Sequence, residues 1–438
     1  MQFRNLSPFD ALCFSALDPN DREYHVVVLR VCYRLRPRWP ATRTGWFDAC
    51  LMEDDSPPLV LGDRYSGKEG LSSLICESDL APYRPRCDVI VTGSSHAPLG
   101  QPTTSWTAGL RLSCPKQRPR RENETHVEKP SASHTDQDRL MLLDKQLVVH
   151  GPRQFRRTGR DRWESQRALP ANAVPLSYER AFGGASLVKD RDHDDNGPPL
   201  LNEVCYQNPL GCGWRDVREF KLLQQVGLPV PEFVSAPQFE YPNDPIKELY
   251  LAEQPTGPLS PQQMLEAVTQ EVHRPAGFGA LGRAWTPRLQ RAGTYDDAWL
   301  RERWPGLPKD FDFSYWNGAP ADQQLAYPPP NLFIELFNLT DPAITPNGYL
   351  ITQLPGNRAF VLMRMHSGVM MPLPMVTDTV HIDTQLLEIA LVHRVWVPIS
   401  APVRVLETRF ELASDGPLVS LAQRAPEGMQ GESIEHGR

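Results

Sequence analysis

The chain has 438 residues, and its 53 Asp and Glu outnumber 46 Lys and Arg to give a formal net charge of −7. A general nucleic-acid binder would carry the opposite balance. Its 44 prolines exclude coiled coils and helical bundles, because proline breaks helix interiors, and with 29 glycines they favour short strands joined by turns.

Tyr24 to Leu35 is predicted as a strand. His25, Val27, Leu29, Val31, Tyr33 and Leu35 share one side, and Arg30 and Arg34 take the other. Leu71–Ser78 is a weaker candidate helix, and Val89–Val91 is a strand. Trp106, Ala108, Leu110 and Leu112 alternate with small or polar residues in a further strand. From Pro115 to Arg139 the apolar residues are Val127 and Ala132. With nothing to bury, ordering is not offset, so 115–139 is expected to be a disordered insertion before the next strand, Leu140–Val149. Ser260-Pro-Gln-Gln263 has the capping serine, first-turn proline and glutamine of a helix start, with Met264–Val272 as its body. Thr294-Tyr-Asp-Asp297 is a second start, for a helix running to about Trp304 and stopping before Pro305. Leu332–Phe337, Tyr349–Leu354 and Ala359–Met365 are strands. Leu387, Ile389, Leu391, Val395 and Val397 alternate with Glu388 and Arg394 in another, and Val403–Phe410 follows. The expected fold is mainly β: two packed β-sandwich-like units with a few short helices, α+β being the alternative. The chain divides into a β-rich 1–114, the 115–139 insertion, a central 140–330, a β-rich 331–413 and a flexible tail, 414–438.

Candidates for chemistry are few. The eight cysteines form no C-x-x-C pair and are expected to be free, mostly buried thiols. Asp192, Asp194, Asn196, Gly197 and Glu203 fit a calcium-loop pattern. Its flanks, Ala181-Phe-Gly-Gly184 and Gln207-Asn-Pro-Leu-Gly211, are not helices and argue for an acidic solvated turn instead, as does Pro199 within the loop. Gly93-Ser-Ser-His-Ala-Pro-Leu-Gly100 lacks the spacing of a nucleophile elbow and is read as a tight loop. Asp310 and Asp312 flank Phe311 and are read as a turn. Four of the ten tryptophans fall between Trp285 and Trp316, a cluster that serves as core, protein interface or ligand platform. No cofactor is implied. Neither a membrane partner nor a signal peptide is expected: no run reaches the roughly 18 apolar residues of a membrane helix, and Met1–Asp10 lacks a basic start before an apolar stretch. The expected location is therefore cytoplasmic.

Several blocks in order carry a resemblance. The first is Leu80-Ala-Pro82-Tyr83-Arg-Pro85-Arg-Cys-Asp88-Val-Ile-Val-Thr-Gly93 with Ala97-Pro98-Leu-Gly100. The second is Pro175-Leu-Ser-Tyr178-Glu-Arg180-Ala-Phe182-Gly183-Gly184. Then come Asn208-Pro209-Leu-Gly211-Cys-Gly213-Trp214 and Gly277-Phe-Gly279 with Trp285 and Arg288. Gly293-Thr294-Tyr295-Asp296-Asp-Ala-Trp299, the stretch Trp304–Asp312, and Ala319-Pro320-Ala-Asp322-Gln323 complete the series. From about Leu6 to Phe410 the chain resembles the domain-of-unknown-function family numbered twenty-one sixty-nine. That resemblance implies an accessory protein of the bacterial type VI secretion system: an adaptor or chaperone that loads an effector protein onto the VgrG spike, often through a PAAR tip. It supplies no catalytic residue, so a non-enzymatic role is expected. An enzyme acting on an envelope glycan, or a toxin domain, is the alternative. The 115–139 insertion and Tyr327-Pro-Pro-Pro-Asn331, where the family is usually glycine-rich, are departures. The glycines suit positive φ or close approach, and Asn208-Pro209 and Ala97-Pro98 suit extended or turn pairs.

Overall fold

The computed structural model describes residues 1–38, 45–116, 138–190, 197–253, 260, 263, 273–286, 288–414 and 418. It is mainly β, as expected, with two short α-helices among the described residues, Arg218–Gln225 and Asp297–Glu302. The centrepiece is a curled sheet. Its strands lie in the order Phe239–Glu240, Arg139–His150, Ser105–Pro115, Phe333–Phe337, Tyr349–Gln353, Trp46–Leu51, Glu23–Pro37, Glu388–Pro398, Val376–Asp383, Cys87–Thr92 and Gln324–Leu325. Ala11–Leu17 also pairs with Glu23–Pro37. A four-stranded sheet, Gln2–Asn5, Val403–Glu411, Arg358–Met365 and Met370–Pro374, packs its apolar side onto the same core.

The strand Glu23–Pro37 is more buried than simple alternation implies. Val26 to Val31 are all under cover, including Arg30, whose Nη1 donates to Asp79 Oδ2 at 3.0 Å. A strand between two others and covered on both faces needs a continuous apolar run. Trp106, Ala108, Leu110 and Leu112 face the core as predicted. A separate apolar cluster forms around Phe155, Trp163, Phe182, Trp214, Phe220 and Ile246.

Leu71–Ser78 is not a helix. Leu74–Cys76 is a short strand paired with Arg64–Tyr65, because Leu74 must reach inward to Ile90 while Ile75 points out. The Thr294 start is one residue pair later in effect: Asp296 caps the helix by accepting from Trp299 N at 2.8 Å, and the helix ends at Glu302. Ser260 and Gln263 make the reciprocal bonds of a capping box, Ser260 N to Gln263 Oε1 at 3.0 Å and Gln263 N to Ser260 Oγ at 3.2 Å. The predicted body of that helix lies outside the described residues, as do 117–137 of the insertion and nearly all of the tail. None of the eight cysteines is in a disulfide; Cys32, Cys87, Cys114 and Cys205 are buried. No helix among the described residues is long and apolar enough to cross a membrane.

Candidate functional site

The blocks that are distant in sequence meet in a buried lattice of charge. Glu77 enters from the short strand's end and lies almost wholly under cover. Its Oε1 accepts from Arg288 Nη1 at 2.7 Å and from Arg283 Nε at 3.4 Å, and its Oε2 faces Arg84 Nη2 at 3.5 Å. Burial alone would raise the Glu77 carboxyl, but the three guanidiniums outweigh it and hold it below the usual range. Arg84 Nη1 continues to Asp88 Oδ2 at 2.9 Å and Thr379 Oγ1 at 3.1 Å. Asp88 also accepts from Asn317 Nδ2 at 3.0 Å and Gly318 N at 2.8 Å. Burial nonetheless pushes its carboxyl up to about 6.

The second strut of this lattice is Lys145. It stands on the strand Arg139–His150, opposite Leu110, and is buried. Its ammonium donates to Gly277 O at 2.7 Å, Asp322 Oδ1 at 2.9 Å and Gln323 Oε1 at 2.7 Å. Those three bonds use all three of its protons. Burial lowers its pKa to about 8, with Asp322 opposing, so it stays charged at neutral pH and is committed to holding the Ala319–Gln323 block in place. Gln323 Nε2 reaches back to Val89 O at 2.7 Å and Phe278 O at 2.9 Å.

Gly277-Phe-Gly279 is the seam to the next group. Tyr178 Oη donates to Gly279 O at 3.1 Å, and a Cβ on Gly277 would meet the Tyr178 ring at 2.8 Å. Asn208, fully buried, donates from Nδ2 to Tyr178 O at 2.8 Å and Phe182 O at 2.9 Å. Gly183 lies against it at φ +146°, where a Cβ would sit 2.1 Å from Asn208 O. Gly93, Gly100, Gly184 and Gly213 also have positive φ, and Gly211 passes close to Ala181 O. Phe182 belongs to the separate apolar cluster. Pro98 opens a short 3₁₀ turn ahead of Gly100, and Pro320 precedes another at Ala321–Gln323. In the Gly93–Gly100 loop, Ser95 Oγ donates to Asn338 O at 3.0 Å and accepts from Trp106 Nε1 at 2.8 Å, which is a structural use of the serine.

The remaining blocks lie at the surface. Thr294 donates from N and Oγ1 to Asp310, at 3.0 and 2.7 Å, and Asp312 caps the next turn through Ser314 N at 2.8 Å. This pair of aspartates therefore shapes a turn, as read from sequence. The turn carries an aromatic ledge. Tyr295 packs on Trp299 with ring centroids 4.7 Å apart, and Trp299 on Trp304 at 5.6 Å. Trp299 is fixed by Nε1 donating to Gly306 O at 2.9 Å. Tyr295 is 54% and Trp304 66% exposed, with Leu300 beside them at 57%. Arg303 anchors the ledge to Asp21 at 2.6 Å. Pro82 and Tyr83 border a different feature, an apolar cleft of about 290 Å³ shared with Tyr24, Phe313 and Trp396. Pro85 adjoins Arg84 at the edge of the lattice, and Pro209 follows the buried Asn208.

The calcium-like pattern is not assembled from described residues: Asp192, Asp194 and Asn196 lie outside them. Glu203 is on the strand Leu201–Val204, paired with Ala185–Val188, and accepts from Arg218 Nη2 at 2.8 Å. The flanks of the loop are thus strands rather than the helices of a calcium hand. Among the described residues no cluster of three or more His, Cys, Asp or Glu is arranged to hold a metal.

Residues 20–394 match the family model DUF2169, described as "Uncharacterized protein conserved in bacteria". The chain belongs to the DUF2169 family. No curated protein and no solved structure matches it. Within the family blocks, sequence reasoning singled out Asp88, Asp322 and Gln323 but not Glu77, which the lattice is built around. Glu77 lies outside the quoted blocks, so its importance is visible only once Arg84, Arg283 and Arg288 are placed around it.

Proposed function

We propose that this DUF2169 protein is a non-enzymatic adaptor of the type VI secretion system, which binds a toxin effector, or its PAAR segment, in the cytoplasm and helps load it onto the VgrG spike. The observation that supports this reading is the exposed ledge of Tyr295, Leu300 and Trp304. Two family blocks, Gly293–Trp299 and Trp304–Asp312, build most of that ledge and lock its base, while leaving the Tyr295 and Trp304 rings exposed. Large apolar groups clustered at a surface mark protein-interaction sites, and tryptophan and tyrosine supply much of the binding energy there.

The test follows secretion in the native host. Deleting the gene is expected to remove the neighbouring toxin from the medium while the expelled tube protein persists. Complementation with Trp304→Ala/Tyr295→Ala is expected to restore a folded protein but not toxin export. Loss of toxin and tube protein together would make the protein a component of the machine and defeat the adaptor reading. Full toxin export by the double variant would remove the ledge from it.

A further inference from the structure

Arg180 differs from most of the charged residues of the family blocks. Arg84, Asp88, Arg288 and Asp322 are tied into the buried lattice, and Asp296 and Asp310 hold a turn. The Arg180 guanidinium is exposed and meets no partner among the described residues. It lines a polar groove of about 510 Å³ together with Arg167, which is likewise exposed and without a partner among the described residues. Arg153 forms part of the floor, fixed by donating from Nε to Pro237 O at 2.7 Å and from Nη2 to Glu240. The one carboxylate in the groove, Glu179, is occupied elsewhere: it accepts from Ser73 N at 2.8 Å and from the Ser73 hydroxyl. A chain with a net charge of −7 thus keeps a local cationic groove. Two apolar side chains, Leu169 at 64% and Phe233 at 46% exposure, share its rim.

We infer that this groove is a second recognition site, taking an extended acidic peptide whose carboxylates meet Arg180 and Arg167 and whose apolar side chains rest on Leu169 and Phe233. Guanidinium forks match carboxylates in two-point geometry. The exposed Gln154 amide offers a donor and an acceptor together, as a peptide bond requires. A peptide is favoured over a nucleic-acid strand because the groove sets the aliphatic Leu169, which has no face on which a base could stack, beside its arginines. The site rests on the adaptor reading only for the source of its peptide, which would be a cargo segment. Binding is read on purified protein, so it stands or falls separately from secretion.

The test is fluorescence anisotropy of the full chain with a labelled eight-residue peptide alternating Glu and Leu. The comparison probes are the same peptide with Gln for Glu, and a single-stranded oligothymidine of equal length. The Glu/Leu peptide is expected to bind and to weaken as salt is raised. Arg180→Ala and Arg167→Ala are each expected to cost about tenfold in affinity, while Arg301→Ala, on the remote surface helix, costs nothing. Both arginines are exposed, so the variants are expected to melt with the parent. No binding of the Glu/Leu peptide, equal binding of the Gln peptide, stronger binding of the oligonucleotide, or full affinity in both groove variants would each overturn the site.

Discussion

His393 sits on the strand Glu388–Pro398, is 4% exposed, and meets Thr377 Oγ1 through Nδ1 at 3.2 Å. Its Nε2 has no hydrogen-bond partner among the described residues. Burial lowers its pKa from the usual 6.5 to about 4, against the pull of Asp378. The sign of the linkage follows from this. Between pH 6.5 and 4 the unfolded chain takes up a proton that the folded chain refuses, so stability is lost as pH falls through that window. The shift corresponds to about 3 kcal/mol. Asp88 runs the other way: its carboxyl, raised to about 6, contributes stability that is present in acid and lost as pH rises from about 4 to 6. The variant His393→Leu isolates one side of this balance. Urea unfolding at a series of pH values is expected to give the parent a stability that falls, relative to the variant, by about 3 kcal/mol from pH 6.5 to 4. Parallel curves for the two proteins would show that His393 takes its proton in the fold. Neither the depressed His393 nor the raised Asp88 titration is legible in sequence: Asp88 stands in a family block, but that block does not show that the fold buries its carboxyl.

The elements that sequence missed fail for a physical reason that Val376–Asp383 illustrates. Its residues, Val-Thr-Asp-Thr-Val-His-Ile-Asp, look too polar for the middle of a sheet, yet it lies between Glu388–Pro398 and Cys87–Thr92. Its polar groups are satisfied from afar: Asp378 by Arg394 Nε at 2.5 Å, and Thr379 by Arg84 at 3.1 Å. Strands whose inward side chains are apolar, such as Ser105–Pro115, were legible because alternation alone marks them. The two ends of the expected 115–139 insertion are strand rather than loop, because they pair with each other. Pro115 lies opposite Arg139, and Lys116 N donates to Asp138 O at 2.9 Å, so the flanking strands close as a hairpin around it. Replacing residues 117–137 by Asn-Gly would close that hairpin with a two-residue turn suited to the strand twist. Shortening a loop of this size recovers about 1–2 kcal/mol of closure entropy at most. The melting temperature is therefore expected to stay level or rise by a few degrees. A fall of about 10 °C in a thermal melt would show that the segment contributes packing the hairpin needs.

At the scale of the whole molecule, the β-rich ends of the chain do not form separate sheets. Glu23–Pro37 pairs with Trp46–Leu51 on one side and with Glu388–Pro398 on the other, from Arg34 opposite Glu388 to Tyr24 opposite Pro398. Phe333–Phe337 adds to Ser105–Pro115, Val376–Asp383 lies parallel to Cys87–Thr92, and Gln2–Asn5 lies parallel to Val403–Glu411. Many strands could be read from local pattern, but which strands become neighbours could not, because pairing partners several hundred residues apart leave no periodic trace. The consequence for folding is strong. Residues 1–330 alone would keep Glu23–Pro37 and Cys87–Thr92 with open edges and lose Leu391, Val395, Val397 and Leu406 from the shared core. Unpaired apolar strand edges template association. The fragment 1–330 is therefore expected to be insoluble or to lack a cooperative melt, as is 331–438, and co-expression of the two is expected to recover a soluble complex. The measurement is expression of each fragment and of the pair, followed by size-exclusion chromatography and circular-dichroism melts. A cooperative melt and well-dispersed amide resonances from 1–330 alone would show that the first 330 residues hold a complete core and that the C-terminal strands merely dock on it.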